Sequence, residues 1–304
     1  MINESLLNIR SKPQTMVENK ISFASSSAEL SIYDTFECAN RVKLKSDQLL
    51  YCGMISGKKI MHLEKDNYHR EFLPHESFIL APDQLVEIDF PEAQHHSPTT
   101  CLAIEIPVEK IQKVCDHLNS ISPLPKEFDE WHYNSHMIHT AHNQETQALL
   151  SRIVHIFTEN HPDKSFLSDL AVSELTARLL RHQTREIIVN FSRQNPEQNG
   201  INKALAHMEA NLHKPLCIDT LCKLACMSRT KFFQKFKQIL GCSPSNLQQQ
   251  LRIKKAQALL QQGYSVTYVT FDLGFSNVSH FSRCFKQMTG IAPSHYMRAK
   301  AVVN

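Results

Sequence analysis

The stretch FKQILGCSPSNL, Phe236 to Leu247, returns 49 positions later as FKQMTGIAPSHY, Phe285 to Tyr296. The matching positions are those a fold has to fix: an aromatic anchor, Lys-Gln, a Gly, a Pro and a closing large apolar residue. The match extends upstream, where Phe232 aligns with Phe281, Leu224 with Leu273 and Thr220 with Val269. One small structural module is used twice.

In the first copy Asp219 reads as an N-cap and Leu221, Leu224 and Ala225 have helical spacing. Cys226-Met227-Ser228 makes a turn, and Ser228 caps a second helix, Arg229 to Leu240, with Phe232, Phe236 and Ile239 or Leu240 as its apolar stripe. Gly241 stops it and Pro244 opens the next segment. Each copy is a helix-turn-helix, over about 218–240 and 267–289. In the second copy Gly274 falls at the turn, where a small residue suits close approach of helices. Leu247, Leu251, Ala256, Leu259 and Leu260 predict a connecting helix that ends at Gly263.

Charge says what such a pair is for. Residues 200–304 hold 14 Lys and Arg against three Asp and Glu, a formal +11, and residues 1–199 carry a formal −8. The whole-chain +3 hides a strongly basic C-terminal region, the electrostatic footprint of a nucleic-acid binder.

VTFDLGFSNVSHFSRCFKQMTGIAPSHYM, Val269 to Met297, resembles the signature of the DNA-binding domain of AraC-type (AraC/XylS) transcription regulators. Gly274-Phe275, the run Ser279 to Arg283, Phe285-Lys286, Gly290, Pro293 and Tyr296 sit at the family's spacing. Thr270 stands where a small Ala is usual, and Met297 where an Arg follows the Tyr, with Arg298 adjacent. The resemblance covers roughly the last hundred residues.

Second helices of such modules enter the major groove with their first turns facing base edges. Arg229, Thr230, Lys231 and Gln234 lie opposite the first apolar stripe, and Ser279, His280 and Arg283 hold the corresponding face in the second copy. The resemblance also implies base or backbone readers at Thr230, Gln234, Ser279, His280 and Arg283. Lys235, Lys237 and Lys286, with Arg252, Lys254 and Lys255 on the connecting helix, suit phosphate. The two reading faces differ, so one subunit should read an asymmetric site with elements about one turn apart, roughly 34 Å.

Residues 20–190 form an effector-sensing and dimerisation region in this reading, 191–200 a polar linker and 201–304 the DNA-binding domain. From about 20 to 107, RVKLKS, QLLYCGMISG, KKIMHLE, HREFLPHESFILAP, QLVEIDFP and TCLAIEIP read as short strands. They suggest a small barrel or jelly roll, and the resemblance implies a cupin-like barrel that binds a small effector. Three helical stretches come after Pro107; the last, from Ser165 to Phe191, has more apolar surface than a lone helix can hide. The fold class is therefore α+β: an N-terminal cupin-like β-barrel followed by helices, then an all-α domain of two joined helix-turn-helix modules.

The rival readings are a metal-dependent cupin enzyme and a nonspecific nucleic-acid binder. His132, His136, His139 and His142 would share a face if their segment were helical, and His62, His69, His75, His95 and His96 lie in the strand region, with no His-x-His between them. Cys217, Cys222 and Cys226 lack paired C-x-x-C spacing, and seven Gly leave little for a phosphate loop. Nine scattered Cys fit a reducing cytosol, and no apolar run has membrane-spanning length. The expectation is a cytoplasmic, sequence-specific regulator of transcription, an activator and not an enzyme, with no catalytic residue, metal or resident cofactor. Its expected partners are double-stranded promoter DNA, a second copy in a homodimer and RNA polymerase, with a small-molecule effector.

Overall fold

Strand residues that alternate between apolar and polar must put one face into a core, and VEIDF does so: Val86, Ile88 and Phe90 are buried, Glu87 and Asp89 half-buried. LLYCGMIS and TTCLAIEI are buried almost throughout, as strands covered on both faces are. In the computed structural model, which describes residues 12–25, 28–63, 68–124, 130–134, 138–142, 144–194 and 199–298, the chain divides into two compact units.

The described residues of the first unit, the chain up to Cys115 with Tyr133–Ala177, form ten strands: β1 (Asn19–Ala24), β2 (Glu29–Thr35), β3 (Ala39–Leu44), β4 (Leu49–Ser56), β5 (Lys59–Leu63), β6 (Tyr68–Phe72), β7 (Glu76–Leu80), β8 (Val86–Phe90), β9 (Thr99–Ile106) and β10 (Ile138–Ala141). They form a six-stranded sheet, β1-β2-β9-β4-β7-β10, and a four-stranded sheet, β3-β8-β5-β6. All pairings are antiparallel. The expected barrel-like region is thus two sheets with four edges, not one closed sheet. Leu50, Met54, Phe72, Phe78, Ile88 and Phe90, drawn from both sheets, fill the space between them.

Lys59 points into that core. It is 3 % exposed, pairs with Glu18 at 3.1 Å and lies 5.0 Å from the centre of the Phe90 ring. Helix α1 spans Val108–Ile121, α2 Gln144–Thr158 and α3 Lys164–Gln194. Leu102 of β9 and Leu150 of α2 lie over Gly53 of β4, where a Cβ would come within 3.2 Å of the Leu102 side chain.

β10 lies in the histidine-rich segment and was not expected. Residues 138–141 are extended and pair with β7, so His139 and His142 do not share a helical face; His136 lies outside the described residues. His139 bonds Glu76 at 2.9 Å, and His142, 4 % exposed, hydrogen-bonds the Ser77 hydroxyl, which also bonds Tyr51. His95 and His96 are exposed in a turn closed by the Gln94–Ser97 bridge. Among the described residues no three of His, Cys, Asp and Glu gather as metal ligands, and no helix is long and apolar enough to cross a membrane.

The second unit, Asp116–His132 with the chain from Arg178, adds α4 (Gly200–Ala210), α5 (Ile218–Ala225), α6 (Arg229–Leu240), α7 (Pro244–Gln261), α8 (Val266–Asp272), α9 (Val278–Thr289) and α10 (Pro293–Arg298). It has two cores. One joins Phe232, Phe236, Leu221 and Leu205 to Ile188 and Val189 of α3, and the other joins Phe281, Phe285, Val269 and Tyr296 to Ile253, Ala256 and Leu260 of α7. The compact unit therefore reaches back past residue 201, where the sequence reading starts the domain. Trp131 is anchored by its indole N–H on Ser122 O at 2.7 Å, and Arg181 lies over the ring at 5.1 Å.

Candidate nucleic-acid interface

Both modules end their first helix in the same way. The Cys226 amide donates to Lys223 O and the Met227 amide to Cys222 O; in the second copy Gly274 donates to Phe271 O and Phe275 to Thr270 O. This Schellman closure places Cys226 and Gly274 in the left-handed region, at φ 52° and 73°. First helices therefore superimpose at an offset of 48, which pairs buried Leu221 with Val269 and Ala225 with Leu273. The expected pairings of Leu224 and Thr220 are one residue out. The caps of the second helices, Ser228 and Asn277, lie 49 apart, so the second turn holds one extra residue.

Residue-type preference also misplaces the first cap. α5 starts from Cys217, whose side chain caps no amide, and Asp219 lies inside the first turn. Asp219 instead meets Arg229 at 3.7 Å, with both side chains largely exposed. Water screens such a pair, which leaves Arg229 available to other anions. The second helices start as expected or better: Ser228 Oγ accepts from the Lys231 amide at 3.4 Å and Asn277 Oδ1 from the His280 amide at 2.8 Å. Gly241 and Gly290 end them at φ 70° and 80°.

With these ends fixed, α6 buries Phe232, Phe236, Ile239 and Leu240, and α9 buries Phe281, Cys284, Phe285 and Thr289. Arg229, Thr230, Lys231, Gln234 and Lys237 are exposed on α6; Ser279, His280, Arg283 and Lys286 are exposed on α9. At the 49-residue offset Thr230 matches Ser279, Lys231 matches His280, Gln234 matches Arg283 and Lys237 matches Lys286. Nine of the ten expected contact residues are thus exposed, and eight of them form four matched pairs on two faces of different chemistry. Arg229 instead lies on the side of Phe236 and Leu240, not opposite the apolar stripe, and matches half-buried Val278. Lys235, the tenth, is half-buried, at the position that buried Cys284 fills in α9. The His280 ring also meets Phe275 edge-on at 5.7 Å, which orients it.

Among the described residues of this unit the exposed large aromatics, Tyr264, Tyr268 and Phe271, lie on α8 or before it, and not on either second helix. Thr270 replaces a small residue without strain, because its buried hydroxyl donates to Val266 O at 2.7 Å. Tyr296 is buried against Phe285, and its hydroxyl accepts from Gln261 at 3.0 Å.

The connecting helix differs from expectation. Lys255 is exposed, but Lys254 pairs with Glu186 of α3. Arg252 turns inward, its Nε donating to Leu212 O at 2.6 Å and its Nη2 to Lys214 O at 2.8 Å. Its guanidinium is thus engaged by backbone carbonyls of this unit. Arg185 of α3 was missed by sequence reasoning: its Nε donates to Leu240 O at 2.9 Å, a cation at the C-terminus of α6. Nothing in the local sequence pattern marks that contact, which joins residues 55 apart.

Comparison with known proteins comes to the same region and extends beyond it. A family model described as "AraC-type transcriptional regulator N-terminus" matches residues 27–187, and a "Helix-turn-helix domain" model matches 221–299. The chain is 36 % identical over 97 residues to the HTH-type transcriptional regulator GbdR of Pseudomonas aeruginosa, 32 % of this chain and 26 % of that protein. It is 32 % identical over 126 residues to the HTH-type transcriptional regulator ArgR of the same species, 40 % of this chain and 38 % of that one. The matched stretch thus spans well under half the length of these curated relatives. A transcriptional regulator from Chromobacterium violaceum, described by its AraC-type DNA-binding domain, is similar in structure at 32 % identity and TM-score 0.32, over 34 % of this chain and 95 % of that one.

Proposed function

This chain belongs to the AraC-type transcriptional regulators, and on that basis we propose that it binds specific sequences of double-stranded promoter DNA through α6 and α9. The observation that carries the reading is the pair of equivalent exposed faces, Thr230, Lys231 and Gln234 against Ser279, His280 and Arg283. Gln pairs bidentately with adenine and Arg with guanine, each good pair giving about 1–3 kcal/mol of discrimination. Lys237 and Lys286 supply phosphate contact at the same position of each helix.

In this reading residues 20–190 sense a small effector and dimerise, 191–200 link, and 201–304 read DNA, with α3 as the structural support of the reading region. Phe166 and Leu170, exposed one helical turn apart on α3, support its use as a contact between two copies. Activation then proceeds through contact with RNA polymerase, in the cytoplasm.

The test is selection by the purified full-length protein from a random duplex pool at near-physiological salt. Enrichment of an asymmetric motif with two elements about ten base pairs apart supports the reading. Uniform, salt-sensitive binding to every duplex, with and without cell-extract small molecules, overturns it in favour of nonspecific binding.

A further inference from the structure

The two helix-turn-helix modules have separate cores that meet along α7, which gives Leu247 and Leu251 to the first and Ile253, Ala256 and Leu260 to the second. A contact beyond that single helix is therefore needed to hold their mutual angle. Arg252, midway along α7, is placed to do this. Its guanidinium donates to Leu212 O at 2.6 Å and Lys214 O at 2.8 Å, reaches Gly274 O at 3.5 Å and lies 5.4 Å from the centre of the Phe275 ring. Leu212 belongs to the first core and Phe275 to the second.

The loop it grips is held from two more directions. Gln248 of α7 donates to Lys214 O at 3.1 Å. Gly274 presses on the loop between them: a Cβ there would lie 1.9 Å from His213 O. One planar fork with five fixed donors can serve three carbonyls on two modules at once; a lysine ammonium cannot reproduce that geometry.

We infer that Arg252 is a positioning residue that sets the spacing selectivity of the two recognition helices, and so decides which separation of DNA elements the protein accepts. The inference rests on the DNA-reading function proposed above. A change of one base pair between elements rotates one against the other by about 35° and shifts it by about 3.4 Å, because a turn of about 10 base pairs rises about 34 Å. A locked pair of helices cannot follow that change, and an unlocked pair can follow part of it.

The experiment measures binding of full-length wild type, R252A and R252K to the selected duplex and to versions with one base pair added or removed between the elements. Salt dependence is measured on the selected duplex, with K286A as the phosphate-contact control. Wild type should lose about tenfold or more on either altered spacing, the equivalent of at least one good base contact. R252A and R252K should bind the original duplex more weakly yet lose less than about threefold on changing the spacing, with the wild-type salt slope, whereas K286A lowers that slope by about one.

R252K keeps the charge and most of the stem, so it carries the comparison if R252A does not fold. Variants that retain the wild-type spacing ratio overturn the inference, as does a salt slope reduced by about one in R252A, which would make Arg252 a phosphate contact. Wild type that binds all duplexes alike overturns the DNA-reading proposal itself, a result distinct from either.

Discussion

Cys226 and Gly274 occupy the same left-handed position of the same helix-ending motif, at φ 52° and 73°, yet only one of them is a glycine. A side chain in this region costs roughly 1–2 kcal/mol, and glycine gives back about 0.5–1 through its freer unfolded chain. Cys226 is exposed, so C226G removes no packing. We expect it to raise stability by up to about 1 kcal/mol, read as a higher urea midpoint at unchanged m-value. G274A, which also drives a Cβ into His213 O, should cost at least about 2 kcal/mol.

The reading faces make a second contrast. R283A should weaken binding to the selected duplex by about 1–3 kcal/mol and relax the preference at one base position. K286A should weaken selected and random duplexes by the same factor. Titrations of both variants against both duplexes check the pair; equal behaviour of R283A on the two would remove Arg283 from base recognition.

A third prediction concerns acid. Burial, with His75 nearby, pushes the His142 imidazole down to about 3 from its usual 6.5. The folded state thus holds His142 neutral while the unfolded state takes up a proton below the usual value. Its contribution is fully present above pH 6.5 and is lost as pH falls from there towards 3, at about 1 kcal/mol per pH unit within that window. Denaturant midpoints at pH 7.5 and 5.5 should therefore differ less in H142Q than in wild type.

The fourth comes from packing. Ile188 is fully buried in the first module's core although it lies upstream of both repeats. I188A should destabilise the second unit by about 2–4 kcal/mol. Thermal unfolding followed with and without the selected duplex would show whether the loss falls on DNA reading, and I187A, at an exposed neighbour, should be close to neutral.

The caps that the sequence places correctly, Ser228, Gly241, Pro244 and Gly290, act through neighbours three or four residues away, so their chemistry is local and readable. Arg252 and Lys254 are not readable in that way: charge identifies a residue's chemistry but not whether it turns towards solvent or towards carbonyls 38 to 40 positions away. Cys217 takes the N-cap position expected for Asp219 although its side chain caps no amide, so residue-type preference alone misplaces the start of α5. β10 escapes because four residues among histidines carry no strand period, and its pairing with β7 spans some 60 residues. The two-sheet order hides for the same reason: β9 lies between β2 and β4, which no local pattern specifies.

Ile188 and Val189 close the first core from a helix that ends before the second unit's repeated modules begin. Anyone trimming this protein to its DNA-reading part would cut at Gly200, after the polar stretch, and would take Ile188 and Val189 out of the core that holds Phe236 and Leu240. Such a fragment should precipitate, while one begun near Arg178 stays in solution, as paired expression of the two would show. Failure of the shorter piece would then be a fault of trimming, and would say nothing against the recognition helices it carries.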